Sequence, residues 1–100
     1  MLNITTEQNG SEVTIFLDGR LDKNSSVELR EEIYKYVGSS EKIILDLEKL
    51  IYISSAGLRV FLETAQDMEA KGGELNVRKL TSEVWDIFEM TGFLHVLTVI

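Results

Sequence analysis

The sequence predicts an α/β fold in which a mixed, mostly parallel β-sheet opens with a β-hairpin and carries α-helices packed on it. Two alternating segments near the start of the chain flank Asn9-Gly10-Ser11, a sequence typical of a tight hairpin turn. Short apolar runs and amphipathic helical patterns then alternate, which predicts right-handed crossovers between parallel strands. The chain has 100 residues, so we expect residues 1–100 to form a single domain.

The strands are predicted from alternation and from short β-branched or apolar runs. They are expected at about residues 2–8, 12–18, 43–47, 75–78 and 96–100, with a loop over 19–24. The run 43–47 indicates a central strand buried on both faces. Asp46 lies within this run and would need a hydrogen-bonding partner, because burial of an unpaired carboxylate is costly.

Three helices are predicted from apolar residues that recur at helical spacing. They cover about residues 26–37, 56–71 and 82–91. The expected N-caps are Ser25, Ser55 and Thr81. Glu28 has the spacing to complete a capping box with Ser25. Gly38 is expected to end the first helix in a left-handed conformation.

The composition excludes several classes of function. Acidic residues outnumber basic ones by 17 to 10, for a formal net charge of −7. Nucleic acids and anionic membranes are therefore poor partners, whereas a protein with a basic face is favoured. Cysteine is absent, which excludes disulfides and thiolate metal sites and favours the cytoplasm. With one histidine and no glycine-rich nucleotide motif, we expect neither a metal nor a cofactor.

The segment 54–59, Ser-Ser-Ala-Gly-Leu-Arg, is the most informative part of the chain. It lies where a predicted strand leads into a helix, at the edge where parallel sheets place their sites. Ser55 would expose its hydroxyl at the positive end of that helix, which suits either a cap or a phosphate group. Gly57 costs about 1 kcal/mol relative to alanine inside a helix. We therefore expect tight packing there or the close approach of another molecule.

A serine hydrolase is the alternative from a different class of function. It would need Ser55 as the nucleophile together with Asp22 and His95. The sequence contains no Gly-x-Ser-x-Gly elbow and no oxyanion-hole motif. His95 follows an apolar stretch and is expected to be a structural or surface residue. Asp22 opens the predicted loop, where an aspartate commonly binds nearby backbone N–H groups.

Five segments occur in a specific order and spacing. They are Gly-Arg-Leu-Asp at 19–22, Ile-Leu-Asp-Leu at 44–47, Ile-Ser-Ser-Ala-Gly-Leu-Arg at 53–59, Gly-Gly-Glu-Leu at 72–75 and Thr-Gly-Phe-Leu at 91–94. This set resembles the STAS-domain family, specifically the bacterial anti-sigma factor antagonists, over essentially the whole chain. The resemblance implies a mixed sheet with helices on one face. It also implies a further C-terminal helix, for which a chain ending at Ile100 leaves no residues.

The resemblance also implies how such a protein acts. In that family the antagonist sequesters an anti-sigma factor that is also an ATP-dependent serine kinase, and a sigma factor is freed to direct transcription. The kinase phosphorylates one serine of the antagonist, which abolishes binding, and a serine phosphatase restores it. Other members of the wider family serve in stress-signalling scaffolds, in lipid-transport complexes or beside anion transporters.

Alignment on Gly57 assigns these roles to positions of this chain. Ser55 falls at the phosphorylated position, Ser54 takes the place of an aspartate and Ala56 that of a second serine. The implied partner-binding residues are Asp22, Ser25, Ser54, Ala56, Gly57 and Arg59. A phosphate on Ser55 would add nearly two negative charges. We expect it to meet Asp22 and an acidic docking surface, so that binding falls while the fold is kept.

Overall fold

The computed structural model describes all 100 residues and consists of a five-stranded sheet with three helices. In chain order the elements are β1 (Leu2–Asn9), β2 (Glu12–Leu21), α1 (Lys23–Val37), β3 (Lys42–Ile53), α2 (Ser55–Ala70), β4 (Glu74–Arg78), α3 (Ser82–Thr91), a 3₁₀ turn (Phe93–His95) and β5 (Thr98–Val99). The strands lie side by side in chain order, and only the β1–β2 pair is antiparallel. The predicted fold class is confirmed.

The helices cover one face of the sheet, as successive right-handed crossovers in one direction require. Alternate residues of the central strands, among them Ile15, Leu45 and Val77, point to this face and form the core with all three helices. Phe61 of α2 and Phe88 of α3 meet edge to face there, with ring centroids 6.2 Å apart. The core therefore lies between the sheet and a single layer of helices. None of the helices combines the length and the apolar character that a membrane-spanning helix needs.

The opposite face of the sheet has no helix, and its own side chains cover it. The predicted partner of Asp46 is found there: Nε of Arg78 donates to Oδ2 of Asp46 over 2.8 Å. The Arg78 guanidinium also lies 5.8 Å from the ring centroid of Phe16. Asp46 is only 3% exposed, so this ion pair satisfies a carboxylate that would otherwise be costly to bury.

Strand β3 continues to Ile53, six residues beyond the predicted end at residue 47. Its pairing with β2 contains two register shifts, and at each of them β3 holds one extra residue. Leu47, Leu50 and Ile53 are all buried in the core although they are three residues apart. The strand was predicted to stop too early because the bulges change the spacing of its core-facing residues from two to three.

The predicted loop over 19–24 is wrong, because β2 continues to Leu21 and α1 begins at Lys23. Gly19 makes this possible with a φ of +119° and a close approach to the carbonyl oxygen of Met1. A side chain would be strained and blocked at this position. The backbone N–H of the next residue, Arg20, donates to the same carbonyl over 3.2 Å.

The helix ends are predicted correctly in α3 and incorrectly in α1. Thr81 caps α3, with its hydroxyl accepting from the N–H of Val84 over 3.3 Å. Gly38 is right-handed, at φ −74°, and not left-handed as expected. The helical turn simply continues there, because the N–H of Ser40 donates to the carbonyl of Tyr36 over 2.9 Å. The last strand is shorter than predicted, since the 3₁₀ turn and the residues after it precede Thr98.

Candidate functional site

Two helices begin side by side at one edge of the sheet. Parallel strands β2 and β3 end as a pair, with Leu21 opposite Ile53. The N–H of Ser54 donates to the carbonyl oxygen of Leu21 over 2.8 Å. After each strand, one capping residue leads into the helix, so Asp22 precedes Lys23 and Ser54 precedes Ser55. The positive ends of α1 and α2 are therefore brought to the same place.

Asp22 is the N-cap of α1. Its Oδ1 accepts from the N–H of Ser25 over 2.9 Å, and the Ser25 hydroxyl accepts from the N–H of Asp22 over 2.9 Å. The predicted capping box of Ser25 with Glu28 is wrong, because the helix begins three residues earlier and Ser25 fills the third helical position. Hydrogen bonds from the backbone and the hydroxyl of Ser25 lower the pKa of the Asp22 carboxyl below its ordinary value.

Ser54, and not Ser55, is the N-cap of α2, which corrects the expectation from the sequence. The Ser54 hydroxyl accepts from the N–H of Gly57 over 3.2 Å. Ser55 is the first helical residue, and its side chain is exposed. The structure therefore separates two roles that the sequence left with one residue: Ser54 holds the helix start, and Ser55 presents a free hydroxyl in front of it.

Gly57 is explained by packing within the chain. A Cβ at this position would lie 2.7 Å from Cγ and Cδ2 of Leu21 and 3.0 Å from Cγ1 of Ile53. Both neighbours are buried core residues that end the two paired strands. Of the two alternatives left open by the sequence, the structure supports tight packing. The missing side chain lets the first turn of α2 lie directly on the strand ends.

A groove runs between the two helix starts, with a volume of about 410 Å³. It is lined by Lys23, Ser26, Val27, Arg30, Ser55, Ala56 and Arg59. Three of these residues are basic and none is acidic, so the expectation of an acidic surface beside Ser55 is wrong at this groove. Net charge could not reveal this arrangement. The only local signal in the sequence was Arg59, four residues after Ser55 and hence on the same side of a helix.

The three cations of the groove differ in their pairing. Nη2 of Arg30 lies 2.7 Å from Oε1 of Glu63 on α2. Neither Lys23 nor Arg59 has a carboxylate within 4.0 Å, although the chain holds 17 acidic residues. Two unpaired, exposed cations therefore lie along one groove with the exposed hydroxyl of Ser55.

The structure brings together most, but not all, of the residues singled out in the sequence. Ser55, Ala56 and Arg59 line the groove, with the capping residues beside it, whereas Ser25 and Gly57 are buried beneath the surface. His95 lies in the 3₁₀ turn after α3 and is not part of the groove. The arrangement needed for a serine hydrolase, with His95 beside Ser55, is not formed.

Similar proteins match almost the whole chain. BtrV of Bordetella bronchiseptica, which is classed as an anti-sigma factor antagonist, is 33% identical over 99 residues, covering 98% of this chain and 85% of that protein. The anti-sigma-B factor antagonist of Bacillus subtilis is 24% identical over 98 residues, covering 98% of this chain and 90% of its own length.

Solved structures of the anti-sigma factor antagonist SpoIIAA have the same fold. The unphosphorylated form superposes with a TM-score of 0.85 at 22% identity, covering 98% of this chain and 88% of that one. The phosphorylated form, from Bacillus, superposes with a TM-score of 0.78 at 22% identity, covering 98% of this chain and 91% of that one. The family model of the STAS domain matches residues 3–100. This match and the shared fold show that the chain belongs to the STAS-domain family.

Proposed function

We propose that this chain is an anti-sigma factor antagonist whose binding is controlled by phosphorylation of Ser55. The observation that carries the proposal is the exposed, uncommitted Ser55 hydroxyl at the first position of α2. The proposal is supported by relatives that match nearly the full chain and are named as antagonists of anti-sigma factors. The similar protein SpoIIAA is known in both unphosphorylated and phosphorylated forms.

The geometry favours Ser55 over Ser54 as the phosphate acceptor. The Ser54 hydroxyl is half-buried and engaged with the N–H of Gly57. Phosphorylation there would remove the N-cap of α2 and place a dianion against packed residues. Ser55 lines the open groove, where a kinase has access. Its hydroxyl makes no hydrogen bond within the chain, so phosphorylation there breaks no contact of the fold.

The fold tolerates a phosphate at Ser55. The first N–H groups of a helix have no intrahelical acceptor, and the helix dipole favours negative charge at this end. The effect of the modification therefore falls on the surface that a partner meets. We infer that the partner is an anti-sigma factor with serine-kinase activity, and that a serine phosphatase restores the binding form.

In this proposal the chain is a binding module and not an enzyme. Ser55 lies in a groove that holds three basic residues and no histidine. A general base within reach of the hydroxyl is the minimum requirement for a serine nucleophile. The exposed serine is thus a substrate for another protein's chemistry.

The proposal is tested with the serine-kinase anti-sigma factor encoded nearest to this chain. Incubation with ATP followed by peptide mass spectrometry should place phosphate on Ser55, and Ser55→Ala should remove it while Ser54→Ala should not. Ser55→Asp should weaken binding at least about tenfold, or about 1.4 kcal/mol. Ser55→Ala should bind and stay bound when ATP is added. Phosphate on Ser54 alone, or release of Ser55→Ala by ATP, would contradict the assignment.

A further inference from the structure

We propose that a phosphate on Ser55 is held within this chain by Lys23 and Arg59. The proposal rests on the proposed function, in which Ser55 is the acceptor, and extends it to how the modification changes the surface. The phosphate would neutralise the groove's free cations, so binding would be lost by removal of positive charge that a partner needs. The sequence alone suggested the opposite cause, repulsion from an acidic surface.

The first support is position. Ser55 and Arg59 are four residues apart on α2, where side chains lie on the same side of a helix with Cβ atoms about 5–6 Å apart. Lys23 is the first residue of α1, as Ser55 is of α2, and the two helices start next to each other. All three side chains line one groove. A phosphate on Ser55 thus has a cation on each helix within reach.

The second support is availability. Arg30, the third cation of the groove, is already paired with Glu63. Lys23 and Arg59 have no such partner, and both are exposed. Asp22, the carboxylate next to Lys23 in the sequence, is committed to the N–H and hydroxyl of Ser25 and does not line the groove. Glu63, which lies four residues after Arg59 and lines a neighbouring groove with it, is paired with Arg30. No carboxylate therefore lies within 4.0 Å of Lys23 or Arg59.

The third support is charge balance. A phosphoserine carries about −1.5 to −2 charges at neutral pH and three acceptor oxygens, and it forms charge-assisted hydrogen bonds when placed at a helix start or opposite basic residues. Two unpaired cations match that charge. The groove would change from a positive surface to a neutral one, while the backbone around it stays in place.

The test uses phosphoserine encoded genetically at position 55, so that it does not depend on any kinase. Phosphorus NMR then follows the second ionisation of the phosphate, whose pKa is ordinarily about 6. In the otherwise unchanged chain this pKa should be lowered, because Lys23 and Arg59 favour the dianion. In the double variant Lys23→Gln with Arg59→Gln it should return toward about 6.

Lys49→Gln is the matched control, because Lys49 is also exposed and without an ion pair but lies on β3, outside the groove. It removes one positive charge and should leave the phosphate pKa lowered. Circular dichroism on every variant confirms that each is folded. Equal phosphate pKa values in the parent and the double variant would overturn the proposal.

Binding measurements separate this inference from the proposed function. Unphosphorylated Arg59→Gln should bind the anti-sigma factor at least about fivefold more weakly than the parent, with a weaker dependence on salt, whereas Lys49→Gln should not. Unchanged binding in Arg59→Gln would overturn the role of the cation. Failure of the parent chain itself to bind would instead contradict the proposed function.

Discussion

The backbone N–H of Ser54 donates to the carbonyl oxygen of Leu21 over 2.8 Å. This bond joins the last residue of β2 to the residue that caps α2. It brings the N-terminus of α1, two residues after Leu21, beside the N-terminus of α2. The groove between them exists because two strand–cap–helix units are placed in parallel at the same register.

The corrected cap assignment predicts different costs for the two neighbouring serines. Ser54→Ala should lower the free energy of unfolding by about 1 kcal/mol, because the hydroxyl that accepts from Gly57 is lost. Ser55→Ala should change it by less than about 0.5 kcal/mol, since alanine is favourable in the first turn and the hydroxyl is exposed. Urea titration of both variants measures the difference. A larger loss in Ser55→Ala would contradict the assignment.

The capping box of α1 predicts a dependence on pH. The pKa of Asp22 is lowered in the folded chain, so its carboxylate stabilises the fold above the unfolded value of about 3.9. That contribution is lost as the pH falls through the lower, folded pKa. Asp22→Ala should therefore reduce the melting temperature by a few degrees at pH 7 and by much less at pH 2.5.

Asp22→Asn is the control for that prediction, because asparagine caps helices as well as aspartate does. Asp22→Asn should melt close to the parent chain at pH 7, but it should lack the contribution of the Asp22 charge to stability, which depends on pH. Equal effects of Asp22→Ala at both pH values would show that the carboxylate charge has no part in the cap.

The packing of Gly57 predicts a loss where helix propensity predicts a gain. In an open helix, alanine would be preferred to glycine by about 1 kcal/mol. Gly57→Ala should instead destabilise the chain by about 1–2 kcal/mol, because the methyl group would overlap Leu21 and Ile53. Chemical denaturation shows whether the free energy of unfolding of Gly57→Ala falls or rises relative to the parent chain.

Gly38→Ala is the matched substitution, since Gly38 has a φ of −74° and open space where a Cβ would lie. It should be neutral or stabilising by up to about 1 kcal/mol. Stabilisation in both variants would mean that the start of α2 can move away from the strand ends.

The ion pair on the uncovered face of the sheet predicts a fourth effect on stability. Arg78→Met leaves the carboxylate of Asp46 buried without its 2.8 Å partner and should cost about 2 kcal/mol. The cost should fall below that of a fully buried pair, because the Arg78 side chain is 30% exposed. Lys79→Met, which removes a contact of 4.0 Å, should cost less than about 0.5 kcal/mol. Similar losses of stability in Arg78→Met and Lys79→Met would show that the number of positive charges, and not the close pair with Asp46, stabilises the fold.

Local patterns predicted the fold class well. The hairpin turn at Gly10, the cap of α3 at Thr81 and the alternation of strands with helices are confirmed. The errors fall where tertiary contacts decide a local choice. The bulges of β3 and the close approach of Met1 to Gly19 depend on neighbouring strands, and no pattern within one segment records them.

The candidate site shows the same division. The sequence located the segment 54–59, but it assigned the cap to the wrong serine and expected acidic surroundings. Both errors have a physical cause. A one-residue difference in where the helix begins depends on the pairing of β2 with β3, and the basic groove combines residues of two helices that are about 30 positions apart.

The agreement between strand order and chain order has a consequence for folding kinetics. Each strand pairs with the strand that precedes it, so the sheet can grow from the hairpin by one unit at a time without waiting for a distant segment. Each crossover must still close a long stretch of chain, since Glu12 of β2 pairs with Lys42 of β3, and pairing at such a separation slows folding. If the hairpin and β3 form the nucleus, changes at this end should slow folding, whereas changes near β5 should mainly accelerate unfolding.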